Sequence, residues 1–277
     1  MKDWPAEFER GSDGFIHLHR TYSDLYKKTS YLTKVPLYIG RITEYDIRAA
    51  NLSAMQDTGK FSAEILEKLE ASDKHTREVK VGIMIRHDAS IGKMIKKGIL
   101  KARENLFRAN CIQESDVISI KNDAVYVVGK RLKHLEFGPF KFIPKNVYSL
   151  LFQLDRIEFY YDSRKHRVDV KGLGSGASDP DIQEGMLKFF AEVFRYLLSG
   201  RRNDLKKYLI RFSTDYKSKK LPVQYYKEMT GAPVYRTMFE IAGFDHNLTS
   251  ATDHDREIIN GIYNYNRYII PVIQTFL

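Results

Sequence analysis

A chain of 277 residues with 43% apolar and 13% aromatic content has core material enough to fold without disulfide or metal staples, and 29% charged residues is ordinary for a globular protein. One cysteine, Cys111, excludes an internal disulfide and a Cys-rich zinc site, and it suits a reducing compartment as a buried, inert thiol. Forty-five Lys plus Arg against 35 Asp plus Glu leave a net charge of +10, which favours a polyanionic partner.

The opening Met1-Lys2-Asp3-Trp4-Pro5 lacks the apolar region of a signal peptide, and no apolar run is long enough to span a bilayer. The expectation is a cytoplasmic protein with no membrane partner. Residues 1–34 carry Phe8, Phe15, Tyr22, Tyr26 and Tyr31 without a clean period, and they read as an irregular or part-helical lead-in. From Val35 to Ile47 the β-branched, alternating run predicts one or two strands, with Gly40 available for a turn or bulge and Asp46 at the exit.

Helices are predicted next over Asn51 to Gln56, Ser62 to Ala71 and Thr76 to Ile85. Asp88 or Ser90 then caps the clearest helix, in which Ile91, Met94, Ile95, Gly98, Ile99, Ala102, Leu106 and Ala109 form one apolar stripe. Lys93, Lys97 and Lys101 form a second stripe at i, i+4, i+8, which reads either as a solvated face or as point charges for a triphosphate. Val117 to Ile120 and Ala124 to Val128 read as two strands joined at Lys121-Asn122-Asp123. Asp123 at that tip is ordinary turn chemistry or a metal ligand, and both readings stand.

Further strands are predicted over Phe137 to Ile143, Arg156 to Asp162 and Arg167 to Gly172. The stretch Gly172-Leu-Gly-Ser-Gly-Ala-Ser-Asp179-Pro180 reads as a linker, because it lacks the Gly-Lys-Ser/Thr ending of a phosphate loop. Beyond it come helices over Ile182 to Leu198 and Asp204 to Phe212, and a last one from about Asp253 that Pro271 kinks or ends.

Metal-assisted phosphoryl transfer needs carboxylates that hold magnesium and cations that steady phosphates, and Asp46 and Asp123 are candidates for the first role. No Gly-x-Ser-x-Gly elbow, His-Glu-x-x-His helix or dinucleotide fingerprint is present, so hydrolase and dehydrogenase readings lack support.

The order strand-Asp, basic helix, Asp-tipped hairpin, Lys-Gly segment and basic helical tail resembles the palm and thumb of single-subunit template-dependent polymerases, the family B DNA polymerases most of all. Asp46 in Tyr-Asp-Ile-Arg-Ala-Ala-Asn-Leu looks like the metal-binding aspartate of their first palm motif. Asp123 in Lys-Asn-Asp-Ala-Val-Tyr-Val looks like the second aspartate of their Asp-Thr-Asp-Ser hairpin, with Lys121 where the first is expected. The helix from Ile91 to Asn110 is similar in placement to the fingers helix, and Lys171 resembles the basic segment that steadies the primer strand. No lysine motif followed by Asn-Ser-x-Tyr-Gly is present, and there is no room for a proofreading exonuclease. A compact core, a split subunit on a separate gene, or a decayed palm kept for binding all fit, and such forms suit a virus or phage.

The resemblance implies a template-dependent nucleotidyltransferase using Mg2+ at Asp46 and Asp123. Lys93, Lys97, Lys101 and Lys171 would meet the substrate. Its partners would be nucleic acid, DNA first, nucleoside triphosphates and a partner polymerase subunit. The alternatives are an inactive nucleic-acid- or protein-binding factor on the same fold, or a structural or assembly protein. The expected fold is α+β: a mixed or antiparallel, palm-like sheet with covering helices through residue 172, fingers-like helices inserted at about 62–110, and a helical, basic, thumb-like module over 173–277.

Overall fold

The computed structural model describes residues 8–10, 16–18, 22–173, 184–227 and 260–277. It is an α+β fold whose strand pairs are antiparallel. Two compact units are present: Met1–Lys34 with Arg41–Val147, and Val35–Gly40 with Tyr148–Leu277. The division falls inside two long strands, at Gly40/Arg41 and at Val147/Tyr148. The boundary expected at residues 172/173 lies within the second unit, and most of the glycine-rich stretch is outside the described residues.

In the first unit, β1 (Phe8–Arg10) pairs with β2 (Ile16–Leu18), and a short 3-10 turn, Asp24–Lys27, leads to β3 (Ser30–Leu32). The lead-in thus contains strands, where the sequence suggested irregular or part-helical chain. Its aromatics belong to tertiary packing: Tyr22, Tyr26 and Tyr31 lie against the core, a role that leaves no local period. β4 (Leu37–Ile47) ends at Ile47, and Ala49 (φ 48°) turns the chain into α1 (Ala50–Thr58).

Three further helices follow: α2 (Ala63–Glu70), α3 (Lys74–His87) and α4 (Ala89–Asn110). Ser62 caps α2 by accepting from Ile65 N–H, Asp73 caps α3 by accepting from Thr76 N–H, and Asp88 caps α4 by accepting from Ser90 N–H. The apolar stripe of α4 buries Ile95, Ala102 and Leu106. Gly98 lets α4 approach α1 closely, since a methyl there would meet Ala54 Cβ at 3.2 Å and Phe140 Cζ at 3.3 Å. Cys111 ends α4 in the left-handed region (φ 49°) and is half-buried rather than fully buried.

β5 (Val117–Lys121) and β6 (Ala124–Val128) form the expected hairpin. β6 pairs with β4 and β5 with β3. Nearly every residue of the hairpin strands is buried, which means both faces are covered. Val125 and Val127 enter the core with Leu106 and Phe107 of α4, while Tyr126 points the other way and meets Glu44. β7 (Glu136–Phe137) then turns into β8 (Phe140–Leu154).

In the second unit, the end of β8 pairs with β9 (Ile157–Asp162), which pairs with β10 (Arg167–Lys171). α5 (Glu184–Leu198) places Met186, Phe189, Phe190, Val193 and Phe194 in its core, and α6 (Arg202–Lys217) adds Leu205, Leu209 and Phe212. A π-helical turn, Tyr265–Ile269, runs without a break into α7 (Ile270–Phe276), so Pro271 follows helical backbone and has no N–H to offer the preceding turn. The irregular turn precedes Pro271, where the sequence anticipated a kink or an end, and the helix continues past it to Phe276. Among the described residues, no helix is long and apolar enough to cross a membrane.

Candidate functional site

The strand register decides where the two candidate aspartates go. Asp46 lies opposite Ala124, the residue next to Asp123, and Ile47 N–H donates to the Asp123 carbonyl at 3.3 Å. Residues far apart in the chain therefore meet at one end of the sheet. Burial raises the Asp123 carboxyl above the usual carboxylate range, and the neighbouring Asp46 charge adds to that rise. The two carboxylates are in electrostatic contact.

A lysine that the sequence did not single out joins them. Lys145 of β8 donates from Nζ to Asp46 Oδ2 at 2.8 Å. The Asp46 hydrogen bond holds its ammonium above the usual lysine value despite partial burial, and the Asp46, Glu44 and Asp123 charges act in the same direction. Glu44, on the same strand face as Asp46, is buried and accepts from Tyr126 Oη at 3.0 Å and Asn146 Nδ2 at 2.6 Å.

On the α4 side, Asp123 lines a cleft of about 490 Å³ together with Thr29, Asn122, Lys96 and Arg103. Arg103 is only 1% exposed. Its guanidinium donates to the Tyr26 carbonyl at 3.1 Å and to the Lys28 carbonyl, pinning the lead-in against α4. Burial pulls its pKa down to about 10, against the opposing pull of Asp123.

The lysine stripe is placed differently. Lys101 points to Asp57 of α1, 3.9 Å away, in a separate cleft, while Lys93 and Lys97 are exposed and do not line the Asp123 cleft. Lys171 ends β10 in the second unit, opposite Glu158 of β9. The cations beside Asp123 and Asp46 are instead Arg103, Lys96 and Lys145. Arg103 had a legible signal, a charge four residues after Ile99 on the apolar stripe of α4. Glu44 had one too, since Ile42, Glu44 and Asp46 share a strand face. Lys145 stands 99 positions from Asp46, and no local pattern joins them.

Asp123 yields a prediction of stability against pH. Its folded pKa is raised, so between its unfolded and folded values the folded protein holds a proton that the unfolded chain releases. Stability falls as pH rises through that window, and the full cost is present above it. Asp123→Asn is therefore expected to raise the thermal midpoint near pH 7. The difference between the two proteins should shrink as pH falls below the folded pKa. Scanning fluorimetry of both across pH 4–8 checks it, and an equal or lower midpoint for the variant at pH 7 contradicts it.

The family model described as bacteriophage PBS1 gene 130 protein matches residues 21–277. The chain belongs to this phage family. Asp46, Asp123, Lys145 and Arg103 all lie inside the matched span, whereas β1 and β2 precede it. The phage setting expected from the sequence holds at this level. No curated protein matches the chain.

Proposed function

We propose that this phage protein is a polymerase-like, nucleic-acid-binding protein that carries out magnesium-dependent nucleotidyl transfer on a primed template in the cytoplasm. What supports this reading is that the β4–β6 register makes Asp46 and Asp123 neighbours at one end of the sheet, near enough for the Asp46 charge to act on the Asp123 carboxyl. Metal ligands have to meet on one ion, and a rigid sheet sets their separation better than loops do.

The residues fit magnesium. Two neighbouring carboxylates, one raised by burial and further by the charge of the other, would be stabilised by a divalent cation between them. Among the described residues no group of three His, Cys, Asp or Glu side chains could cage an ion. Magnesium does not need such a cage, because it commonly takes one or two carboxylates and completes its shell with water and substrate phosphates. When bound at Asp46 and Asp123 it would neutralise charge developing on a transferring phosphoryl group.

Arg103 and Lys96 supply positive charge along the cleft beside Asp123, where an anionic nucleotide would enter. Lys93, Lys97 and Lys101 remain candidates for more distant contacts with the triphosphate, and Lys171 for the primer strand. DNA is the expected template and primer, with nucleoside triphosphates as substrates and a partner polymerase subunit supplying what this chain lacks. A second reading, binding without catalysis, is favoured by Lys121 at the hairpin position where the resembled family carries its first aspartate.

Nucleotide incorporation on a primed DNA template with and without magnesium tests the reading. Asp46→Asn and Asp123→Asn, each shown to be folded, are expected to lose about a hundredfold or more of the native rate, the scale of removing one group that stabilises transition-state charge. Unchanged incorporation in either variant would sink the two-aspartate site. Template binding with no incorporation by the native chain would favour the second reading.

A further inference from the structure

We propose that Lys145 is a tethered stand-in for a divalent cation: it competes with the metal for Asp46 and must give way when the metal binds. This rests on the magnesium reading of the Asp46 and Asp123 site. Lys145 Nζ sits 2.8 Å from Asp46 Oδ2, and its charge also acts on Asp123 and Glu44. One ammonium thus offsets part of the negative charge that would attract an ion.

The geometry allows it to leave. The Lys145 side chain is 47% exposed whereas Asp46 is 19% exposed, so the ammonium has solvent to swing into while the carboxylate stays in place. A lysine head on a four-carbon stem is a mobile point charge, unlike the buried Arg103 guanidinium, which is fixed by two carbonyls. Once displaced, Lys145 has three donors and no acceptor, and an incoming phosphate is the partner that suits it. Metal and anion would then favour one another through this side chain. The chain without metal would keep its carboxylates partly neutralised.

The rival role for Lys145 is a plain strap between β8 and β4. Metal affinity separates the two, because a strap has no reason to weaken it. The experiment titrates Mn2+ into the full chain and follows free Mn2+ by electron paramagnetic resonance. It compares the native protein with Lys145→Met, Lys145→Gln, Asp46→Asn and Lys68→Met. The last removes an equal charge from an exposed pair on α2, Lys68 with Glu64 at 2.6 Å.

Both Lys145 variants are expected to bind Mn2+ about tenfold tighter than native, since a positive charge in contact with the ligand carboxylate is gone. Lys68→Met should bind like native and Asp46→Asn more weakly. Native binding that Lys145→Met and Lys145→Gln leave equal or weaker overturns the competition while the metal site stands. No binding by any of the proteins, or binding that survives Asp46→Asn, overturns the metal site and the competition together.

Discussion

Arg103→Ala is expected to cost about 3–5 kcal/mol. The truncation empties a fully buried position in the middle of α4. It also strips the part-buried Tyr26 and Lys28 carbonyls of their donor. The lead-in would come loose: the 3-10 turn at Asp24–Lys27 and the start of β3 depend on that clamp. A drop of roughly 10 °C in the thermal midpoint follows for a chain of this size.

Arg103→Lys should fall between, keeping the charge but losing the planar fork. Hydrogen exchange should show faster exchange at residues 25–32 in Arg103→Ala before any global change. The measurement also bears on the sign of the buried charge. Arg103 has no carboxylate within ion-pair distance among the described residues, and its pKa is lowered mainly by burial. If Arg103→Met were as stable as native, the desolvation cost would equal everything the guanidinium returns.

Phe190→Ala is the corresponding break in the second unit, at about 3–5 kcal/mol. Phe190 of α5 is fully buried and stacks on Phe159 of β9 with centroids 4.0 Å apart and planes at 25°. Phe189, Phe194 and Tyr268 complete the cluster at 5.4, 5.8 and 6.4 Å. Truncation leaves a cavity that rigid aromatic neighbours cannot close, so the cost should sit at the upper end of the range. Phe190→Leu should recover more than half.

Urea unfolding reads both effects, with the midpoint lowered and the slope unchanged. A double-mutant cycle with Phe159→Leu should give a coupling of about 0.5–1.5 kcal/mol beyond the lost area. Additive costs would mean that the stacked geometry contributes nothing beyond burial.

The helices were legible because their signals are local. The stripe on α4 repeats at three and four residues, its Asp88 cap precedes it, and the structure forms the helix at Ala89–Asn110. The hairpin was legible for the same reason, with β-branched runs either side of Asn122-Asp123. β8 was not read to its full length, because Pro144 and the polar Lys145-Asn146 break the apolar pattern over Phe140–Leu154. β3 was missed since its partner β5 lies far away in the chain.

Local spacing by itself determined the secondary elements that carry Asp46 and Asp123, and it put each aspartate at the end of a strand or turn. Only the tertiary structure decided that β4 and β6 are neighbours, so that the two carboxylates repel one another. It also decided which cations attend them. The regular lysine stripe turned Lys101 toward Asp57, while Arg103 came from the apolar stripe itself and Lys145 from a strand position with no periodic mark. The physical reason is range: capping and amphipathic period act over a few residues, whereas charge pairing and burial act across whatever strands the fold brings side by side.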